Sequence, residues 1–289
     1  MPVVIQKIKM IKAFLKDQDL LADINQVQPD PNQLHIWWLG QSGYLIYWNG
    51  KRIMLDPYLS ESLSIKYKDT DKPHVRMSEK VIDPGTLPRI DFLTSSHAHT
   101  DHLDPDTISV LIKNNPDIRF IIPESIRHLA CQRGGCATDF PYGLDAGESY
   151  VEGDISFIAV PAAHESLDKD DKGKHLYLGY IIRLGPWTLY HSGDTVLYPG
   201  MVEWIRPYAP DVVFLPINGS DPRRKVAGNM HAGDAVYLAV QTGAKLTIPG
   251  HYHLFEFNSV EPDEFVSFAA AQNLPVRLLE HGERINLKL

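Results

Sequence analysis

The sequence predicts one domain of mixed α and β layers. Short apolar runs of strand length alternate with stretches at helical spacing through most of the chain. No linker-like break and no fixed-period repeat divides the 289 residues. A hydrophobic fraction of 44% against 22% charged supplies a sizeable core under a soluble surface.

Taken in order, Met1 to Leu15 place Val4, Ile8, Ile11 and Leu15 at helical spacing. This predicts an amphipathic N-terminal helix over residues 1–22, docked on the single domain of residues 1–289. Strands follow at 34–38, 44–48 and 52–55, and Asn49-Gly50 between the last two is a hairpin turn signal. Residues 60–89 are polar and carry Pro73, Pro84 and Pro88, which predicts a long loop or small insertion. Ile90 to Ser95 reads as a strand, and Asp104-Pro105 as the cap and first residue of a helix over 105–114. Then come an extended run at 119–122 and a helix at 125–133. Strands are expected at 155–160, 177–184, 187–191, 211–215 and 245–248, and helices at 232–242 and 262–272.

The formal charge of −8 argues against a nucleic-acid partner, because phosphate binding needs a basic face. No apolar run approaches a membrane span, so integral membrane contact is not expected. Lys7, Lys9 and Lys12 interrupt what would be the apolar core of a signal peptide. Cys131 and Cys136 read as reduced thiols, which fits a cytoplasmic location. A homo-oligomer is compatible with all of this.

The chemistry is concentrated in Ser96-His97-Ala98-His99-Thr100-Asp101-His102, between a strand end and a helix start. A loop held at both ends can fix metal ligands closely. His97 and His99, two apart, can share one metal, while Asp101 and His102 turn toward a second. A lone loop His is more often structural, but three with an Asp at this spacing favour metal. The same strand-end arrangement returns at Pro161 to His164, at His191-Ser192-Gly193-Asp194 and at Pro249-Gly250-His251. Singly each is an ordinary loop residue. Together they supply five His and two Asp, enough for two metals with open positions for water.

With these residues in place the chain resembles the metallo-β-lactamase superfamily, whose pattern is His-x-His-x-Asp-His followed by a later His, Asp and His. The match spans about residues 34–285. The resemblance implies a four-layer α-β-β-α sandwich with two divalent metal ions, Zn or Mn, at one edge. It implies that His97, His99 and His164 hold the first metal, that Asp101, His102 and His251 hold the second, and that Asp194 bridges them. Two branches look closest. The L-ascorbate-6-phosphate lactonase group is recognisable in Trp37-Trp38-Leu39-Gly40, Tyr190 to Asp194 and Asp221-Pro222-Arg223. The N-acylphosphatidylethanolamine phospholipase D group is recognisable in His102-Leu103-Asp104, Leu184 to Trp187 and Met230-His231. The second supplies a His at the position of His231 and the first does not, and the first also lacks a His matching His164, so the chain carries features of both and takes neither substrate outright. The extra domain of the nuclease branch is missing, which argues against RNA processing.

Asp56, after a strand, is either a plain turn residue or, as the resemblance implies, a group orienting a metal ligand through a hydrogen bond. His231 is open between capping the next helix and touching substrate as a catalytic group. His253 reads as exposed, and His191 as support for the loop that presents Asp194. The run Arg223-Arg224-Lys225 is either a solvated face or an anion site, with Arg223 as the substrate-binding candidate. Residues 165–176 form a surface loop that could cover the site. The reading is a metal-dependent hydrolase that uses a metal-bridging hydroxide oriented by Asp101 on a small anionic substrate. A lactonase on a phosphorylated sugar acid ranks first and a phosphodiesterase second. A binding protein that lost turnover and a redox enzyme are the rivals from other classes.

Overall fold

The computed structural model describes residues 10–224 and 228–289. Strands β1 (Gln33–Gly40), β2 (Gly43–Trp48), β3 (Lys51–Leu55), β4 (Phe92–Thr94), β5 (Arg119–Pro123), β6 (Tyr142–Leu144) and β13 (Arg284–Lys288) form a seven-stranded sheet ordered β13-β1-β2-β3-β4-β5-β6. Strands β7 (Ser149–Glu152), β8 (Ile155–Pro161), β9 (Leu178–Leu184), β10 (Trp187–His191), β11 (Val212–Pro216) and β12 (Leu246–Gly250) form a six-stranded sheet ordered β12-β11-β10-β9-β8-β7. The helices are α1 (Asp17–Asn25), α2 (Ser62–Lys66), α3 (Pro105–Asn114), α4 (Arg127–Gly134), α5 (Met201–Ile205), α6 (Ala232–Thr242) and α7 (Asp263–Ala271).

Strand periodicity separates the layers. Leu34, Ile36, Trp38, Ile46 and Ile53 pack inward against Phe157, Ile182 and Leu189 of the second sheet. The alternate positions Trp37, Leu45, Tyr47 and Met54 face the other way, against Leu20 and Ile24 of α1 and Ile108 and Leu111 of α3. A strand buried on both faces reads as a continuous apolar run, which is why β1 to β3 were legible. Ala235, Val236 and Ala239 of α6 and Phe265 of α7 complete the core on the outer face of the second sheet. The result is helix, sheet, sheet, helix: the mixed α and β layers that the sequence predicts, in the two-sheet arrangement that the resemblance implies.

The hairpin signal holds: Trp48 pairs with Lys51, and Asn49 and Gly50 both have positive φ, 44° and 84°. The N-terminal helix differs from expectation. Val4 and Ile8 lie outside the described residues, and residues 10–16 are not helical. Ile11 donates to Met77 O (2.7 Å) and accepts from Glu79 N (3.0 Å), so its backbone is satisfied as in a strand edge. The helix begins only at Asp17 and runs to Asn25. Asp104 occupies the cap position of α3, but its carboxylate accepts from Ser62 Oγ (2.7 Å) and Thr107 Oγ1 instead of the helix backbone. The segment 60–89 contains the short helix α2. Strands β6 and β7 and helix α5 escaped the sequence reading, as did β13, whose Ile285 and Leu287 pack on the core.

Candidate metal centre

Topology explains why distant residues meet. In the first sheet β1 and β3 are each antiparallel to β2, and β4 is parallel to β3, so β1, β3 and β4 end at one edge. In the second, β8 and β10 are each antiparallel to β9, and β11 and β12 continue parallel to β10. Gln41 and Asp56 follow β1 and β3; His97 to His102 follow β4. His164, Asp194 and His251 follow β8, β10 and β12. Loops on a rigid scaffold thus carry the whole cluster.

Two groups emerge, His97 with His99 and His164, and Asp101 with His102, Asp194 and His251, the ligand-type atoms of each lying within 4.8 Å of one another. Asp194 faces both. Its Oδ1 lies 2.7 Å from His251 Nε2 and 3.3 Å from His102 Nε2, while its Oδ2 lies 3.7 Å from His164 Nε2. These residues fit a metal centre by a direct criterion. His97 Nε2 is buried without a hydrogen-bond partner, and His102 Nε2 and His251 Nε2 face each other at 3.4 Å. Buried donors and acceptors are normally paired, and lone pairs converging on one point are satisfied by a cation.

The supporting contacts fix which nitrogen is free. His102 Nδ1 donates to Asp56 Oδ2 (2.8 Å), leaving Nε2 toward Asp194. His164 Nδ1 donates to Gly228 O (2.8 Å), leaving Nε2 toward the cluster. Asp56 is fully buried and collects more: Ser96 N (3.0 Å), Thr94 Oγ1 (3.2 Å), Ser96 Oγ, and His191 Nε2 at 3.3 Å. Asp56 thus hydrogen-bonds the ligand candidate His102, and His191 lies against Asp56. Gly193 lets the next residue in: it has φ +59°, and a Cβ there would lie 2.6 Å from Ser96 Cβ.

Electrostatics divide the histidines. Burial pushes His97 well below the usual imidazole range, with His102 and His99 adding to it. Burial opposes charge at His102 too, but Asp194 and Asp101, with the hydrogen bonds that His102 donates to Asp194 and Asp56, outweigh it and hold His102 well above that range. Asp194 is held low despite burial by His102 and His251, and Asp56 likewise by His191 and His102. A proton on His102 therefore competes with a metal ion. Sign follows: His102 must lose that proton to ligate, so apparent metal affinity rises with pH, up to about tenfold per unit through neutrality. Chelator competition at pH 6, 7 and 8 measures this; a flat profile would contradict it.

Two groups missed by sequence reasoning belong here. Gln41 Nε2 donates to Asp101 Oδ2 (2.9 Å), and Gln41 O accepts from His251 N (3.1 Å). Gln41, Asp56 and His251 all have positive φ, 53°, 38° and 61°, so backbone strain gathers at this edge. The signal was a polar pair, Gln41-Ser42, between Gly40 and Gly43 at a strand end. The second is Tyr177, whose ring centre lies 5.3 to 6.2 Å from those of His97, His164 and His99.

A cavity of about 390 Å³ opens over the cluster, lined by His99, Asp101, His164 and Asp194. Neither His231 nor Arg223 lines it; they share a separate cavity of about 330 Å³. The segment leaving β11 does reach the cluster, but through Gly228. The turn at Pro222–Arg224 then carries Arg223 outward, 91% exposed and paired with Asp221 at 2.7 Å. Arg224 is the more enclosed of the two and donates to Asn218 O (2.6 Å); Lys225 lies outside the described residues. His231 caps α6, its N–H donating to Asp234 (3.2 Å). His253 is half-buried and paired with Glu261 at 2.9 Å, where exposure was expected. Residues 165–176 do not line the cavity; Lys174 pairs there with Glu148 at 3.4 Å. Cys131 and Cys136 are free thiols. No helix among the described residues is long and apolar enough to cross a membrane.

Fold and cluster together define the metallo-β-lactamase class, two sheets between helices with a His/Asp group able to hold metal at the sheet edge. The beta-lactamase superfamily domain model matches residues 51–252, and the chain belongs to that family. The UPF0173 metal-dependent hydrolase of Caldivirga maquilingensis is 26% identical over 88% of this chain and 99% of its own length. That of Opitutus terrae is 29% identical over 88% of this chain and 100% of its own. Igni18, a metallo hydrolase of the archaeon Ignicoccus hospitalis, shares the fold with TM-score 0.67 at 24% identity, covering 89% of this chain and 99% of that one.

Proposed function

We propose that this metal-dependent hydrolase cleaves a small lactone or ester that bears an anionic group. The observation that carries the reading is Asp194, whose two oxygens face two separate sets of ligand-type side chains. In this reading His97, His99 and His164 would hold one ion, Asp101, His102 and His251 the other, and Asp194 both. Divalent ions bound there, zinc or manganese, supply Lewis acidity and bring the pKa of water toward neutrality. The chain's own residues do the rest. Gln41 holds one oxygen of Asp101, which leaves the other to orient the attacking water and take its proton. His102 is kept in one tautomer by Asp56. The cavity's volume of about 390 Å³ matches a small molecule.

The test is a panel of lactones, carboxylic esters and phosphodiesters with metal-loaded protein. Lactone or ester turnover is expected to exceed phosphodiester turnover, and Asp101→Asn is expected to lower kcat by about a hundredfold with secondary structure retained. Phosphodiester cleavage alone would move the reading to the phospholipase-like alternative. Undiminished turnover in metal-loaded Asp101→Asn would remove Asp101 from the mechanism.

A further inference from the structure

The cavity has a second wall, built mainly from the segment between β3 and β4, the stretch whose prolines predict a long loop or small insertion. This wall is anchored. Ser62 Oγ donates to Asp104 at the start of α3 (2.7 Å), and Ser64 Oγ donates to His74 O (2.7 Å). Arg76 closes the segment by donating to Ser60 O (2.7 Å). On it, the rings of Tyr67 and His74 stack with centroids 4.4 Å apart, and Phe257 meets His74 edge-on at 4.5 Å. His74 Nδ1 donates to Lys72 O (2.9 Å), so the ring is fixed in plane as well as in place. All three aromatic residues line the cavity.

Charge on the same lining is one-sided. Its carboxylates are Asp101 and Asp194, both within the metal-ligand cluster, while Lys66, Lys72 and Arg133 supply cations. Lys66 is exposed and lies over the Tyr67 ring at 5.0 Å, with no ion-pair partner among the described residues. Arg133 is half-buried. Its Nη1 donates to Ala98 O (2.7 Å) and Leu103 O (3.0 Å), which fixes the guanidinium beside the His97–His102 loop without a carboxylate partner among the described residues. A partly desolvated guanidinium lacking a carboxylate is a ready partner for an anion.

We infer that the substrate is a small organic acid with a flat apolar ring, its anionic group held by Lys66 and Arg133 and its ring laid against Tyr67, His74 and Phe257. This rests on the hydrolase reading for the reacting end of the molecule, which would lie over the metal cluster. It relocates the anion site from Arg223, which the structure places in another cavity. Planar rings stack on aromatic faces, and a cation above such a face adds to the pull on a ring that carries a negative group.

The experiment measures binding apart from turnover. Two non-hydrolysable probes, 2-naphthoate and its neutral isostere naphthalene-2-carboxamide, are titrated into zinc-loaded and EDTA-treated protein by calorimetry. The parent is expected to bind naphthoate at least tenfold more tightly than the carboxamide in both forms. Lys66→Glu should erase that preference by raising the naphthoate Kd about tenfold or more. Lys113→Glu, an exposed lysine on α3, should leave both constants unchanged. Phe257→Leu should weaken both probes alike. Equal binding of the two probes by the parent, or an unchanged naphthoate Kd in Lys66→Glu, would overturn the inference. Naphthoate selectivity in a protein that turns over no lactone or ester would uphold this wall while sinking the lactone or ester reading. Ester turnover with Lys66→Glu unaffected on both probes would sink the wall alone.

Discussion

Asp194→Ala is expected to strip both halves of the cluster at once. Its Oδ1 lies against His102 and His251 and its Oδ2 toward His164, so this one carboxylate faces both groups. Removing a residue that merely orients a ligand costs about ten- to hundredfold in metal affinity. Loss of a shared ligand should exceed that at both positions, and hydrolysis should fall below detection. His164→Ala is the comparison, because His164 belongs to one group only; it should weaken one ion and leave the other near parental affinity. Metal titration of the two variants reads this directly. Equal, small losses from both would show that Asp194 is not shared.

The second large effect is expected at Asp56. This carboxylate is fully buried and accepts from Ser96 N, Thr94 Oγ1, Ser96 Oγ and His102 Nδ1, with His191 alongside. Asp56→Ala would leave these donors buried and unpaired, at a cost of roughly 3–5 kcal/mol, the scale for breaking a buried charged network. Asp56→Asn keeps the shape but offers one acceptor oxygen where two were used. Its NH₂ group facing His102 Nδ1 would favour the other tautomer and turn a proton, not a lone pair, toward the cluster. The asparagine variant should therefore fold and lose about ten- to hundredfold in affinity at the His102 position. Urea midpoints and chelator competition separate the two consequences. An asparagine variant with parental metal affinity would show that the tautomer at His102 is not set by Asp56.

How much could be read from the chain follows from how local each signal is. The hairpin at Asn49-Gly50 and the start of α3 at Pro105 are set by neighbours in sequence, and both were legible. β6 and β7 are three and four residues long with little burial, so they carried no periodic signal. The N-terminal segment has helical spacing at Ile11 and Leu15, yet Met77 and Glu79 offer its backbone partners in an extended form. Tertiary pairing overrode periodicity there. The seven ligand candidates were legible because each sits just beyond a strand and strand ends can be read locally. Gln41 depends on a left-handed backbone at a strand end, and Tyr177 on how the chain re-enters β9 beside the histidines. Neither condition is visible in residue spacing. Arg223 and His231 share a segment that does touch His164 through Gly228, so proximity in sequence was sound. The side chains of Arg223 and His231 nevertheless line another cavity, and side-chain direction is not visible in residue spacing.

This sheet edge is expected to hold two metal ions on seven side chains, with hydrolysis depending on them. This is tested most directly by metal analysis of protein expressed with zinc or manganese, alongside His102→Ala and His251→Ala variants. About two equivalents are expected in the parent, about one in each variant, and loss of hydrolysis on EDTA treatment with recovery on adding metal back. A parent that saturates at one equivalent, unchanged in both variants, would contradict it.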